Sequence, residues 1–248
     1  MSEWFEDDDF WVNYSPIMFD SQHWAEAHGI ASACVAISGA KSGDKVLDVC
    51  CGLGRISLEL AQAGLCVTGV DITQPLLDAA RESAEAEGVA VELVNCDMRT
   101  FDGAEQFSLA VNIYNSFGYC EKISDDTKIL ENVFRSLKKG GTFILECISR
   151  EIAVRYFTEG EWFERAGKTV LTHFEVVGAW EGLLSKWILI DNQDASRIEH
   201  EFVQRLYSAA ELRDKLISIG FSSAEVYGGF SLTPYDQNAK TMVIVAKK

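Results

Sequence analysis

Residues 45–55 read Lys-Val-Leu-Asp-Val-Cys-Cys-Gly-Leu-Gly-Arg, and the rest of the chain is organised around this stretch. The order of an apolar run, a turn with Gly52 and Gly54, and a helical pattern predicts a strand, a tight loop and a helix. Glycines let the backbone approach a ligand closely, and the free N–H groups at the start of the helix point into the same space. Asp48 supplies a carboxylate at the end of the strand. This arrangement predicts a site for a nucleoside-containing cofactor at the carboxyl ends of parallel strands.

The residues after this loop help to distinguish between cofactors. A dinucleotide-binding loop would carry a third glycine three residues after Gly54, where this chain has Ser57. The second predicted strand, residues 66–70, ends at Asp71, one strand–helix–strand step after Asp48. An acid at this position is placed to accept hydrogen bonds from ribose hydroxyls. The alternative interpretation of Asp71 is an acid at the N-terminus of the next helix.

The pattern Asp48-x-x-x-Gly52-x-Gly54, followed by acids after the second and third strands, resembles the class I S-adenosylmethionine-dependent methyltransferases. The resemblance implies S-adenosylmethionine as cofactor, with Asp97 at the adenine amino group. A turn-forming role is the alternative for Asp97. Many members carry a glycine where this chain has Cys50, which is tolerable if that residue does not need a positive φ. The cofactor-binding residues predicted in this way are Tyr14, Asp48, Cys50, Gly52, Gly54, Asp71, Ile72, Asp97, Met98 and Asn112.

The fold expected from these patterns is α/β, a Rossmann-like sheet of seven strands with helices on both faces. The resemblance implies the strand order 3-2-1-4-5-7-6, with the last strand antiparallel. Residues 39–150 and 206–248 are expected to form this core. Residues 151–205 are expected to interrupt it, and their period-two alternation predicts an inserted antiparallel meander. Such an insertion can wall a substrate pocket, and the alternative is a sheet that forms an oligomer. Residues 1–38 are expected to form an N-terminal lid and a helix.

Candidates for contact with the cofactor's methionine end and for catalysis come from several parts of the chain. The resemblance makes Tyr14, in an aromatic N-terminal stretch, a candidate for covering the methionine part of the cofactor, and packing on the domain surface is the alternative. Tyr119 follows the fourth strand and is expected to face the substrate. Glu146, near the end of the fifth strand, and His173, on the meander, are further candidate bases, although His173 also fits a partly exposed polar residue.

Composition restricts the partners. The 248 residues include 22 Lys and Arg against 38 Asp and Glu, which gives a net charge of −16. So acidic a surface repels a phosphate backbone, and nucleic acid is not an expected partner. Seven cysteines without a C-x-x-C pair indicate reduced thiols in a cytoplasmic protein and no metal site. No apolar run is long enough to cross a membrane. We expect a monomer or a homodimer that binds a small molecule.

The predicted function is transfer of a methyl group to an N- or O-nucleophile of a small molecule, by in-line displacement. One alternative is a non-catalytic S-adenosylmethionine-binding protein, and another is a methyltransferase that acts on a protein or on RNA. A third is an NAD(P) oxidoreductase, and the missing third glycine together with Asp97 argues against it.

Overall fold

The computed structural model describes residues 3–248, and residues 1 and 2 of the predicted N-terminal part lie outside the described residues. A 3-10 helix at Trp4–Glu6 precedes the first α-helix. The helices are α1 (Asp8–Met18), α2 (Ser21–Ser38), α3 (Arg55–Gln62), α4 (Gln74–Glu87), α5 (Ile123–Ser136), α6 (Arg150–Tyr156) and α7 (Ala209–Ile219). The strands are β1 (Lys45–Val49), β2 (Cys66–Asp71), β3 (Val91–Asn95), β4 (Phe107–Asn112), β5 (Leu137–Cys147), β6 (Gly160–Arg165), β7 (Lys168–Val177), β8 (Gly182–Asp191), β9 (Arg197–Arg205), β10 (Ser223–Tyr227) and β11 (Met242–Lys247).

Seven of these strands form one central sheet in the order β10-β11-β5-β4-β1-β2-β3. The pairs among β1 to β5 are parallel, whereas β11 is antiparallel to both β5 and β10. If β10 and β11 are counted as the sixth and seventh core strands, the order is 3-2-1-4-5-7-6. The predicted fold and strand order are therefore confirmed.

The central strands are apolar because both faces of the sheet are covered by helices. Leu47 of β1 enters a cluster that includes Leu130 of α5 and Leu212 of α7. The adjacent Val46 enters a second cluster, on the opposite face, together with Ala31 of α2 and other residues of α2 and α3. Successive side chains of a strand point to opposite faces, so β1 is buried on both sides of the sheet, between β4 and β2.

A second sheet, β6-β7-β8-β9, is antiparallel throughout and lies in the chain between β5 and α7. This is the predicted meander. Its inner face packs on α1, where Phe10, Tyr14 and Ile17 form a cluster with Val170 and Leu189. Helix α6, before the meander, was not predicted. Its start is capped by the Ser149 hydroxyl, which accepts a hydrogen bond from the helix backbone.

Candidate functional site

A cavity that is partly open to solvent, with about 740 Å³ of empty space including that open part, lies where the loops after β1, β2, β3 and β4 meet. Its walls are mostly apolar and aromatic, and acids enter from two loops. The predicted residues that line it are Cys50, Gly52, Asp71, Ile72, Asp97, Met98 and Tyr119. The other lining residues include Phe5, Trp11, Phe19, Leu76, Arg99, Ser116 and Phe117. The topology thus brings most of the predicted cofactor residues together at one edge of the sheet.

The backbone of the loop after β1 is left-handed at three positions. The φ angle is 58° at Cys50, 52° at Gly52 and 73° at Gly54. The condition under which a non-glycine residue is tolerated at position 50 is therefore not met, because Cys50 occupies the region that favours glycine. Gly54 lines neither this cavity nor its neighbour. It stands at the start of α3, where an added Cβ would come within 3.1 Å of the Cβ of Ala80.

Asp48 lies below this loop and lines a second cavity, of about 370 Å³, beside the first. Its carboxylate accepts a hydrogen bond of 2.6 Å from the Ser57 hydroxyl. Burial raises the pKa of Asp48 to about 7. The two cavities share the lining residues Phe19, Cys50, Gly52 and Ser116, so they adjoin at the glycine loop and at the loop after β4.

Asp71 closes the other side of the main cavity. One of its oxygens accepts a hydrogen bond from the Gly52 backbone at 2.8 Å, and the other accepts one from the Thr73 backbone at 2.9 Å. The first bond fixes the glycine loop, and the second satisfies an amide at the start of α4. Burial raises the pKa of this carboxyl. A carboxylate has about four acceptor positions, so Asp71 keeps capacity for the hydroxyls of a ribose.

Asp97 lines the cavity, and its carboxylate is paired with Arg99, a residue that was not predicted to belong to the site. Arg99 donates from Nε to one carboxylate oxygen of Asp97 at 2.6 Å, and its backbone N–H reaches the other at 2.7 Å. The same guanidinium pairs with Glu6 at 2.6 Å and approaches Glu3 at 3.6 Å. Arg99 therefore ties the predicted adenine site to the N-terminal segment, residues 3–19.

Within the N-terminal segment, the structure corrects the choice of ring. Tyr14 is completely buried, and its hydroxyl donates to the Trp187 carbonyl of the meander at 2.9 Å. Helix α1 turns Tyr14 toward the second sheet, so it does not line the cavity. Phe5, Trp11 and Phe19 of the same segment line it instead. An aromatic covering is present, but other rings supply it.

The three candidate catalytic residues are not brought together. Tyr119 lies in the cavity wall, packed edge-on against Trp4, and no hydrogen bond of its hydroxyl occurs within residues 3–248. Burial raises its pKa, so the hydroxyl stays protonated at neutral pH. His173 lies on the outer face of the meander, where it pairs with Glu175 and is more than half exposed. The structure therefore rules against its predicted place in the pocket.

Glu146 lines neither cavity. Its carboxylate accepts a hydrogen bond from the Tyr114 backbone at 2.7 Å and another from the Thr241 hydroxyl. Tyr114 and Asn115 have φ angles of 62° and 63°, so Glu146 holds the strained start of the loop after β4. This geometry makes Glu146 a positioning residue for that loop, and its predicted use as a base is not supported.

Asn112, at the end of β4, also binds backbone and lines neither cavity. Its amide nitrogen donates to the Val49 carbonyl at 2.9 Å and to the Ser116 carbonyl at 3.2 Å. The side-chain oxygen is buried without a partner among the residues that the structure describes. Asn112 therefore joins the end of β1 to the loop that carries Ser116 into the cavity.

The end of the meander, in β9, is hydrogen-bonded to the loop after β4. The Gln204 amide of β9 donates to the carbonyls of Asn115 and Phe117 at 3.2 and 3.0 Å. The next residue, Arg205, donates from its backbone to the Gly118 carbonyl at 2.7 Å. An added Cβ at Gly118 would come within 2.6 Å of the Arg205 carbonyl oxygen, so a glycine permits this contact. The insertion is thereby coupled to the cavity wall.

Within residues 3–248, no group of three or more His, Cys, Asp or Glu side chains is placed to hold a metal ion. Across the same residues, no helix has the length and apolar character needed to cross a membrane.

Comparisons with known proteins agree with this geometry. Residues 46–141 match the model of a family described as a methyltransferase domain. The cypemycin N-terminal methyltransferase of a Streptomyces species is 26% identical over 83% of this chain and 84% of its own length. Among solved structures, an S-adenosylmethionine-dependent methyltransferase from Clostridium acetobutylicum has a TM-score of 0.78 at 16% identity, over 97% of this chain and 98% of that one. An amino pentose methyltransferase from Micromonospora echinaspora has a TM-score of 0.72 at 18% identity, over 97% of each chain.

The likeness to the solved structures concerns the fold, whereas the family match covers the glycine loop and the strands that follow it. The cavity also fits an adenosine group, since Asp71 keeps free acceptor capacity and the backbone of Gly52 leaves room for close approach. Residues 46–141 match a methyltransferase domain, and the fold of the chain is that of S-adenosylmethionine-dependent methyltransferases, so the predicted enzyme class and cofactor are confirmed.

Proposed function

We propose that this enzyme methylates a small molecule at a nitrogen or oxygen nucleophile. The main support is the covering of the cavity. Its aromatic wall carries Tyr119, and Phe5 and Trp11 close over it from the N-terminal segment. A space enclosed in this way suits a compact acceptor and excludes bulk water from the reacting atoms. Two solved structures of similar fold are those of an amino pentose methyltransferase and a sugar N-methyltransferase.

The residues of the cavity favour an amine acceptor over a hydroxyl. S-adenosylmethionine supplies an activated methyl group when it is bound, and the protein supplies alignment. Of the predicted bases only Tyr119 lines the cavity, and its raised pKa keeps the hydroxyl protonated. Tyr119 therefore acts as a hydrogen-bond donor that orients the acceptor. A neutral amine attacks without a base, whereas a hydroxyl needs one or a metal ion.

The proposal is tested by incubating the enzyme with radiolabelled S-adenosylmethionine and a cell extract separated into small molecules, RNA and protein. We expect label in the small-molecule fraction, and at least a tenfold lower rate with Tyr119→Phe, on the order expected when an orienting contact is lost. Tyr156→Phe is the control, because Tyr156 is exposed and lines neither cavity. Label in RNA or protein would contradict the proposal. Cofactor binding without any transfer would favour a non-catalytic binding protein.

The same proposal assigns roles to the parts of the chain. Residues 39–150 and 206–248 bind the cofactor, and residues 151–205 cover the acceptor. Residues 1–38 are the N-terminal part, which consists of a lid and a helix. All seven cysteines are free thiols, which supports a cytoplasmic location. A monomer or a homodimer that does not bind nucleic acid is consistent with the acidic surface.

A further inference from the structure

The second cavity is lined by a buried cation, Arg55, which is not among the predicted cofactor-binding residues. Arg55, directly after Gly54, is only 6% exposed. Its guanidinium carbon lies 3.9 Å from the centre of the Tyr114 ring and 4.6 Å from the centre of the Phe19 ring. Burial lowers its pKa, which records the cost of holding a charge there.

The hydrogen-bonding capacity of Arg55 is mostly unused. A guanidinium has five N–H donors in a planar fork. Within residues 3–248, the one hydrogen bond of this side chain runs from Nη1 to the His23 carbonyl at 3.2 Å, and no carboxylate oxygen lies within 4.0 Å of it. The same carbonyl accepts a hydrogen bond from the Tyr114 hydroxyl at 3.1 Å. The backbone of His23 thus fixes both the guanidinium and one of the rings on it.

The position of the guanidinium indicates what it binds. Arg55 and Asp48 both line the second cavity, which adjoins the main cavity at Cys50 and Gly52. A planar fork held against aromatic rings matches the two oxygens of a carboxylate. Buried charges in proteins are normally paired, so an unpaired Arg that lines a cavity indicates an anionic ligand group.

We propose that Arg55, held by Phe19 and Tyr114, forms a carboxylate-binding subsite beside the cofactor cavity. The carboxylate belongs either to the amino-acid end of the cofactor or to the acceptor. This inference rests on the cofactor cavity and is independent of the proposal that the acceptor is small. Its test measures binding only, so its failure is distinguishable from a failure of methyl transfer.

The experiment compares wild type with Arg55→Gln and Arg55→Lys by calorimetry. The ligands are S-adenosylhomocysteine, which carries the carboxylate, and 5′-methylthioadenosine, which lacks the whole amino-acid end. A third titration adds acetate to protein saturated with S-adenosylhomocysteine. Arg213→Gln is the matched control, because Arg213 is an exposed residue of α7 paired with its neighbour Asp214. Thermal unfolding of each variant reports on the fold.

If the carboxylate is the cofactor's, Arg55→Gln weakens S-adenosylhomocysteine about 10- to 100-fold and leaves 5′-methylthioadenosine unchanged, and Arg55→Lys restores part of the loss. If it is the acceptor's, both nucleosides bind as before, and acetate binds wild type but not Arg55→Gln. An equal loss for both nucleosides would show a merely structural role and overturn the proposal. The absence of any change in all three titrations would overturn it as well.

Discussion

Asp48 is buried under the glycine loop, and its folded-state pKa of about 7 lies well above the ordinary value of 3.8. The folded protein therefore holds this proton more tightly than the unfolded chain does. Its contribution to stability is fully present below about pH 4 and is lost as the pH rises through about 7. Nearby Asp71 raises the pKa of Asp48 further, whereas Ser57 and Arg55 lower it.

We predict that Asp48→Asn is more stable than wild type at pH 8, by about 1–3 kcal/mol, and that the difference disappears near pH 4. The amide carries no charge to bury, and its oxygen can still accept the Ser57 hydroxyl. Urea unfolding of both proteins between pH 4 and pH 8 is the measurement. A difference that does not change with pH would show that Asp48 does not titrate in this range.

Position 50 tests the backbone of the glycine loop. With φ at 58°, Cys50 tolerates the left-handed region, but a β-branched side chain there is strained. We predict that Cys50→Gly changes the free energy of unfolding by less than about 1 kcal/mol, whereas Cys50→Val lowers it by about 1–3 kcal/mol. Cys66→Val is the control, at an exposed residue at the start of β2. Equal effects at the two positions would argue against strain.

At the scale of residues, the sequence predicts which residues lie at the same edge of the sheet. It does not predict which way each side chain points. Asp71 and Asp97 follow neighbouring strands, so they meet at one cavity wherever the loops lead. His173 lies on an alternating strand, and alternation does not tell which face is inward. Helix α1, which turns Tyr14 away from the cavity, depends on packing against the meander. Arg55 stands next to the motif, but its lack of a partner is a property of the folded protein.

At the scale of elements, β9 and the loop after β4 act as one unit. The Gln204 amide holds the carbonyls of Asn115 and Phe117, and Asn115 is in a strained conformation. We predict that Gln204→Ala speeds hydrogen exchange of the amides in residues 114–121 about 30-fold, since two hydrogen bonds of about 1 kcal/mol each are lost. Gln193→Ala, at an exposed turn of the same sheet, is the control. Unchanged exchange would show that the loop is held by the core alone.

The N-terminal segment is joined to the cavity wall by ion pairs with Arg99. Glu3 and Glu6 pair with its guanidinium, and Phe5 between them lines the cavity. We predict that the double variant Glu3→Gln and Glu6→Gln releases S-adenosylhomocysteine about fivefold faster, because loss of about 1 kcal/mol loosens the covering. Stopped-flow displacement measures the rate.

The matched control for this variant is Asp8→Asn with Asp9→Asn, which removes the same charge from exposed positions at the start of α1. Equal acceleration in both double variants would assign the effect to net charge and not to the contact with Arg99. The aromatic residues of this segment are visible in the sequence. The ion pairs that hold the segment in place are not, because Arg99 is distant in the chain and contacts Glu3 and Glu6 only after folding.

The whole molecule combines a partly covered cavity with a net charge of −16. The order of the central sheet was predictable because the alternation of strands and helices and the resemblance agreed on it. How the meander and the N-terminal segment sit over the cavity was not predictable, since their attachment depends on single contacts such as that of Gln204. These two parts decide the size of ligand that can reach the cofactor.

This combination gives a prediction about nucleic acid. A phosphate backbone approaching the protein meets a surface in which 38 acids outweigh 22 bases, and little counterion release is available to favour binding. We expect no binding of transfer RNA up to about 100 μM at physiological salt, the weak end of nonspecific affinities. Filter binding across salt concentrations is the measurement, with a basic RNA-binding protein as the positive control. Salt-sensitive binding would instead indicate a local basic patch strong enough to overcome the net charge, and RNA would become the favoured acceptor.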